Sequence, residues 1–224
     1  MGKLLTSTFL GALASLSFSA AQATPLTLFL DAGGGNTLTI VDGGPGDDSP
    51  IANHIQIQSG TTLGAFTFGS NSQLAIQADT GLLDSNFHLL TPGGGGTLIV
   101  EVSKDDYTTP LGPTLVTDDF SLTNIGVSIE YASYLSTSNT MFGQEVLIHA
   151  NTADDILDDE FASLGLNISG PYALSHFYTI THAAGDVSNF VQSTVTTPEP
   201  ASLALLGMGV LGLGAAGWRR RKTA

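Results

Sequence analysis

Apolar residues recur at every second position through most of residues 26–195, and this spacing constrains the fold more than any other feature of the chain. Leu26, Leu28 and Leu30 alternate with other residues, as do Leu38 and Ile40 after the Gly33-Gly34-Gly35-Asn36 turn. Ile55 and Ile57 interleave with Gln56 and Gln58, and Leu74, Ile76 and Ala78 flank Gln77. Later runs are Phe66 and Phe68, Phe87 and Leu89, Leu98 to Val102, Ile125 to Tyr131, Val146 and Ile148, Tyr172 to Ile180, and Val187, Val191 and Val195. Side chains of a strand point alternately to opposite faces, so this period describes strands buried on one side. About ten to twelve short strands with turn signals between them predict an all-β fold, an antiparallel β-sandwich. Gly93 to Gly96 can supply the positive φ values of a hairpin before the Leu98 strand.

One segment departs from the pattern. Between Asn151 and Leu166, Ile156, Leu157, Phe161 and Leu164 could share a helical face, with Thr152 as cap and acids in the first turn. Against this, Asp154/Asp158 and Asp155/Asp159 are like-charge pairs four residues apart, each costing about 0.2–0.5 kcal/mol in a helix. The expectation is one short helix held by packing, or an acidic loop held by a cation.

Both ends of the chain read as addresses. Lys3, the apolar run Leu4 to Phe18 and the small residues Ala21 and Ala23 around Gln22 have the order of a secretory signal peptide, cleaved after Ala23. At the other end, Ala201 to Trp218 is uncharged and rich in Leu, Gly and Ala. At about 1.5 Å per residue it just spans a bilayer core as a transmembrane helix. Arg219, Arg220, Arg221 and Lys222 follow at once and place that end on the cytoplasmic side of the inner membrane. The expected organisation is therefore a signal peptide (1–23), a secreted body (24–197) and a C-terminal segment (198–224).

Charge narrows the function. The chain has 20 acids and 6 bases. Five of the bases lie in the two end segments, which leaves the body 19 acids against the single base Lys104. Such a body cannot neutralise a phosphate backbone, so nucleic acid is excluded as a partner. It also lacks an arginine clamp for an anionic substrate. There is no cysteine, and so neither disulfide nor thiolate chemistry.

Pro198-Glu199-Pro200, followed by the apolar span and the arginine run, resembles the PEP-CTERM sorting signal of Gram-negative bacteria. The resemblance implies recognition and processing by an exosortase, a membrane-embedded transpeptidase-like protease. It further implies transfer to the cell surface or outside, often in cells that make exopolysaccharide and biofilm matrix. Pro198, Glu199, Pro200, Arg219, Arg220 and Arg221 would then be read by the processing enzyme. The body is similar to a broad group of uncharacterised secreted PEP-CTERM domains, through Val41 to Asp48, Gly93 to Gly96, Lys104 to Tyr107 and Asn139 to Phe142. That similarity implies an all-β secreted domain and transfers no functional residue.

The body shows no hydrolase, metalloprotease, P-loop or dinucleotide-binding motif. His176 and His182 are six apart and share one face of a straight strand, where two histidines could serve as ligands or a base but a surface or edge position is the expectation. The acids invite a cation. Asp42, Asp47 and Asp48 lie in an oxygen-rich, glycine-rich loop suited to Ca²⁺, with Asp154, Asp155, Asp158 and Asp159 as a second group. A solvated acidic turn accounts for the same clustering. The expectation is an exported surface or matrix protein, not an enzyme. Two alternatives stay open. One is a calcium-assisted module binding exopolysaccharide, which would expose an aromatic row drawn from Tyr107, Tyr131, Tyr134, Tyr172 and Tyr178. The other is a glycan hydrolase with two opposed carboxylates in a cleft.

Overall fold

A computed structural model of the chain describes residues 25–68, 75–79, 81–90, 94–124, 127–153, 157–183 and 188–197. Among the described residues there are fourteen strands: β1 (Thr27–Asp31), β2 (Thr37–Val41), β3 (His54–Gln56), β4 (Thr62–Leu63), β5 (Phe66–Phe68), β6 (Ala75–Asp79), β7 (Leu82–Leu90), β8 (Gly96–Tyr107), β9 (Gly112–Asn124), β10 (Val127–Ser136), β11 (Val146–Ala153), β12 (Leu157–Ile168), β13 (Tyr172–His182) and β14 (Ser188–Thr196). They form two antiparallel sheets. One has six strands in the order β11-β10-β13-β8-β1-β2. The other has the order β12-β9-β14-β7-β5-β4, with β6 also pairing β7 and β3 pairing β6.

The alternation read from the sequence is the alternation of burial. On β8, Leu98, Val100 and Val102 are fully buried while Thr97, Ile99 and Glu101 face outward. Leu28, Leu30, Ile129 and Ile180 join them from the six-stranded sheet, and Leu83, Leu89, Val116, Phe120, Val191 and Val195 meet them from the other. Each such side chain contributes about 1.5–3 kcal/mol by leaving water. This shared apolar layer makes the two sheets a sandwich.

Three local expectations change. The Asn151–Leu166 segment is not helical where it is described: Leu157–Ile168 is β12, paired along its length with β9 from Leu157↔Thr123 to Ile168↔Gly112. As a strand it turns Ala162, Leu164, Leu166 and Ile168 toward the core side and leaves Phe161, Ser163 and Gly165 exposed. The glycine run before Leu98 does not close a hairpin either. β7 belongs to the eight-stranded sheet and β8 to the six-stranded one, so the chain crosses between sheets there. His176 and His182 do share a face, but it is the inner one, and both are buried.

Candidate binding face and inter-sheet polar cluster

The predicted cation loop is held by its own backbone. Asp47 Oδ1 accepts the amides of Ser49 (2.9 Å) and Gln56 (3.0 Å), and Oδ2 accepts that of Gly43 (2.8 Å). Burial pulls the Asp47 carboxyl up, and these amides outweigh it and hold the group below its ordinary value. Asp42 Oδ2 accepts the Asn53 amide at 2.8 Å. Asp48 is exposed, and its amide donates to the Gln56 carbonyl. Among the described residues, no group of three or more His, Asp or Glu is placed to hold a metal. Of the second acidic group, Asp154 and Asp155 lie outside the described residues, as does the Asp158 side chain, and Asp159 is exposed.

Two of the segments that carry the body's resemblance, Lys104 to Tyr107 and Asn139 to Phe142, meet around the end of β8. Lys104 Nζ donates to Asn53 Oδ1 at 3.1 Å. Asp106 and Asn139 exchange two hydrogen bonds, and the Phe142 amide donates to Ser103 Oγ at 3.0 Å. Asn53, Asp106, Asn139 and Phe142 all have φ between 56° and 60°. A non-glycine residue there is strained, and it persists only where neighbours hold it in place. These contacts are that restraint, and they brace the loops at this end of β8.

Between the sheets lies a polar cluster. Asp118 of β9 is fully buried. Its carboxylate accepts Tyr131 Oη at 2.7 Å, the Ser133 hydroxyl, and Ser193 Oγ at 3.4 Å, while Tyr131 also meets Ser193. His149 of β11 places Nδ1 3.4 Å from Asp118 Oδ2 and Nε2 3.3 Å from Glu160 Oε2 of β12. It thus joins the open edges of both sheets. Its contact with Asp118 raises the His149 pKa above 6.5 against the opposing pull of burial, and Glu160 adds to the rise. Burial pushes Asp118 up, but His149 leads a group of partners that hold it below 3.8. His176 shares the site with the opposite result. Burial drives its pKa down to about 4, and its Nδ1 meets Ser85 Oγ at 2.8 Å. The Ser85–His176 pair has the composition of a nucleophile and its base, but both are fully buried, which keeps a substrate from reaching them.

The outer face of the six-stranded sheet differs in character. Phe29 of β1 lies opposite Glu101 of β8, which lies opposite Phe177 of β13, then Ala132 of β10 and Ala150 of β11. All five are partly or fully exposed. Opposed residues on one sheet face are about 5 Å apart, so Glu101 stands between the two rings. Tyr134 packs edge-on against Phe177, ring centroids 5.5 Å apart. Over the two alanines the face sinks into a depression of about 440 Å³, walled by Glu130, Thr152, Phe177 and Thr179. Burial raises the Glu101 carboxyl above 4.5. Among the described residues, no hydrogen bond or ion pair engages the carboxylates of Glu101 and Glu130.

Of the tyrosines expected to supply a row, Tyr107, Tyr131, Tyr172 and Tyr178 are buried in the core, and Tyr134 alone reaches this face. Phe29 and Phe177 make the row instead. The signal that marks them is positional: Leu28 and Leu30 point inward, so Phe29 between them must point outward.

Ala21, Ala23, Pro198, Glu199, Pro200, Arg219, Arg220 and Arg221 lie outside the described residues. Among the described residues, no helix is long and apolar enough to cross a membrane, and Ala201–Trp218 is not among them. The PEP-CTERM protein-sorting motif matches residues 196–222 and therefore starts on Thr196, the last residue of β14. No curated protein matches the chain. Among solved structures, the enzymatically active domain of tailspike protein 4 of Bacteriophage CBA120 is 13% identical, with a TM-score of 0.35 over 70% of this chain and 21% of its own length. The chain thus spans about a fifth of that protein. The cleaved adhesin domain K1 of Lys-gingipain from Porphyromonas gingivalis W83 is 12% identical over 53% of this chain and 85% of its own, TM-score 0.31. TmCBM61 in complex with β-1,4-galactotriose is 16% identical over 68% and 92%, TM-score 0.30. All three likenesses are distant, and none lends its activity to this chain. The chain carries a PEP-CTERM sorting signal behind an all-β body, which supports its reading as an exported exosortase substrate.

Proposed function

We propose that the chain is an exported, exosortase-processed surface or matrix protein whose body, without catalysis of its own, binds polysaccharide on the outer face of the six-stranded sheet. The observation that carries this is the row Phe29–Glu101–Phe177, which aligns two rings and a carboxylate across three strands. A sugar ring presents C–H bonds on its faces and hydroxyls around its rim. The aromatic faces suit the first, and Glu101, Glu130, Thr152 and Thr179 suit the second. The rings stand two strands apart, about 10 Å, so an extended chain of several sugars, and not a single one, would touch both. The adjoining depression would seat one ring more deeply. In this reading the sorting signal delivers the body to the place where the cell's own polysaccharide accumulates.

The test uses protein recovered from outside the cell. Its intact mass is read first: loss of the segment ending in Trp218 and the arginine run is expected, and a product still carrying them refutes processing. The same material is applied to a glycan array with and without calcium. Retention by an extended polysaccharide is expected, and no retention in either condition refutes the binding role.

A further inference from the structure

Resting on that binding role, we infer that the preferred ligand is a polymer of amino sugars with free, protonated amines, its ammonium group seated on Glu101 between Phe29 and Phe177. Glu101 is the central member of the row, half-buried, and flanked in register on both sides by a phenyl ring. A carboxylate part-way out of water with no cation beside it carries a desolvation cost. The raised Glu101 pKa records that cost, with burial as its cause. A ligand cation offsets it. A phenyl ring on either side can attract the same charge through the quadrupole of its face. Glu130, at the wall of the depression, supplies a second carboxylate for the next amine along the polymer.

The rest of the body points the same way. Its single base, Lys104, is buried and donates to Asn53, away from this face. An anionic polysaccharide would therefore meet like charge and find no partner. A neutral one could stack on the rings and offer hydroxyls to Glu101, but would leave its charge without a counterion. The polyamine satisfies the rings and the carboxylate together.

The experiment is retention of the full chain, held in detergent at pH 5.5, on three insoluble polymers: polyglucosamine, its fully N-acetylated counterpart, and a polyuronate. Retention on polyglucosamine should exceed that on the acetylated polymer at least tenfold, and any retention on the polyuronate, through the basic run at 219–222, should be the same in Glu101→Gln as in the native chain. Glu101→Gln, close in shape to the native residue, should abolish that preference and leave weak binding to the acetylated polymer. Asp48→Asn removes the same charge from an exposed loop and should change nothing. Equal retention on the amine and acetylated polymers would overturn this inference and leave the glycan-binding role standing. Retention on none would remove both. Polyglucosamine binding that weakens equally in E101Q and D48N, or that survives in Phe29→Ala/Phe177→Ala, would mean attraction to the acidic body as a whole and would also overturn it.

Discussion

Tyr131 and Asp118 join the two sheets through the middle of the sandwich: Tyr131 Oη on β10 donates to Asp118 Oδ2 on β9 at 2.7 Å, both residues being buried. Asp118 is also a partner of Ser133, Ser193 and His149. Removing it strands several donors at once. Asp118→Ala is expected to cost about 3–5 kcal/mol, the range for breaking a buried charged pair. Tyr131→Phe removes one donor to a charged group and should cost about 1.5–3 kcal/mol. Urea unfolding followed by tyrosine near-ultraviolet dichroism checks both, since the one tryptophan, Trp218, lies outside the body. Equal, small losses would mean that the cluster does not bear on stability.

The two histidines of the cluster should give stability a maximum near pH 6.5. His149 has its pKa raised, so its contribution is complete below 6.5 and is lost as pH climbs through the folded value. His176 is lowered to about 4, so the unfolded chain takes up a proton that the folded one refuses between 6.5 and 4. Stability falls across that window as pH falls, by up to about 3 kcal/mol. Asp118, lowered in turn, adds a further loss below 3.8. The groups facing His149 are Asp118 and Glu160, with Tyr131 edge-on at 5.8 Å. In thermal melts across pH 4–9, His149→Gln should flatten the alkaline limb and leave the acid limb in place. Loss of both limbs together, or of neither, would contradict this assignment.

Much of this architecture was legible from alternation. Leu26, Leu28 and Leu30, the Leu98–Val102 run and Tyr172–Ile180 are strands because burial on one face imposes period two. What alternation cannot convey is which strands share a sheet. The glycines before Leu98 have the flexibility of a hairpin, yet here the connection crosses the sandwich. The β12 segment read as a short helix or an acidic loop because its acids and apolar residues fit more than one period locally. The twelve-residue ladder with β9, a contact distant in sequence, decided the matter. The cluster around Asp118 was hidden for the same reason, since its members come from six strands. The outward row was partly visible: inward leucines on either side force Phe29 out, but only the register sets Phe29, Glu101 and Phe177 side by side.

Gly81 should resist replacement. It turns the chain between β6 and β7 with φ of 64°, and its carbonyl accepts both the Thr197 amide (2.8 Å) and Thr197 Oγ1 (2.9 Å). A Cβ added there would fall on the Thr197 hydroxyl, 2.9 Å from the Thr197 carbonyl oxygen and 3.2 Å from Pro110 Cδ. Backbone strain and collision act together, so Gly81→Ala is expected to cost about 1–3 kcal/mol. Thr197→Ala removes part of the collision, and the double variant should lose less than the two single losses added. Additive losses in a melting series would show that the Thr197 hydroxyl is not what the new methyl group meets.

Glu145 ties down the loop after β10. Its Oε2 accepts the amides of Thr137 (2.8 Å) and Ser138 (3.0 Å) and the Thr137 hydroxyl (2.7 Å). Its Oε1 accepts the hydroxyls of Ser138 and Ser136. Hydrogen bonds from Ser138 and then Thr137 hold the carboxyl down at about 2. A lowered carboxyl keeps its contacts above 4.5 and surrenders them as pH falls through about 2, so the loop should stay anchored in mildly acidic medium. Glu145→Gln lacks the negative charge and places a donor where one of the accepting oxygens stood. The expected result is faster amide hydrogen exchange at Thr137 and Ser138, with exchange in the paired core of β10, such as Tyr131 and Ala132, unchanged. Unaltered exchange at the two loop amides would show that the loop is held by other means. Acceleration spreading into β10 would show that the loop and the strand open as one unit.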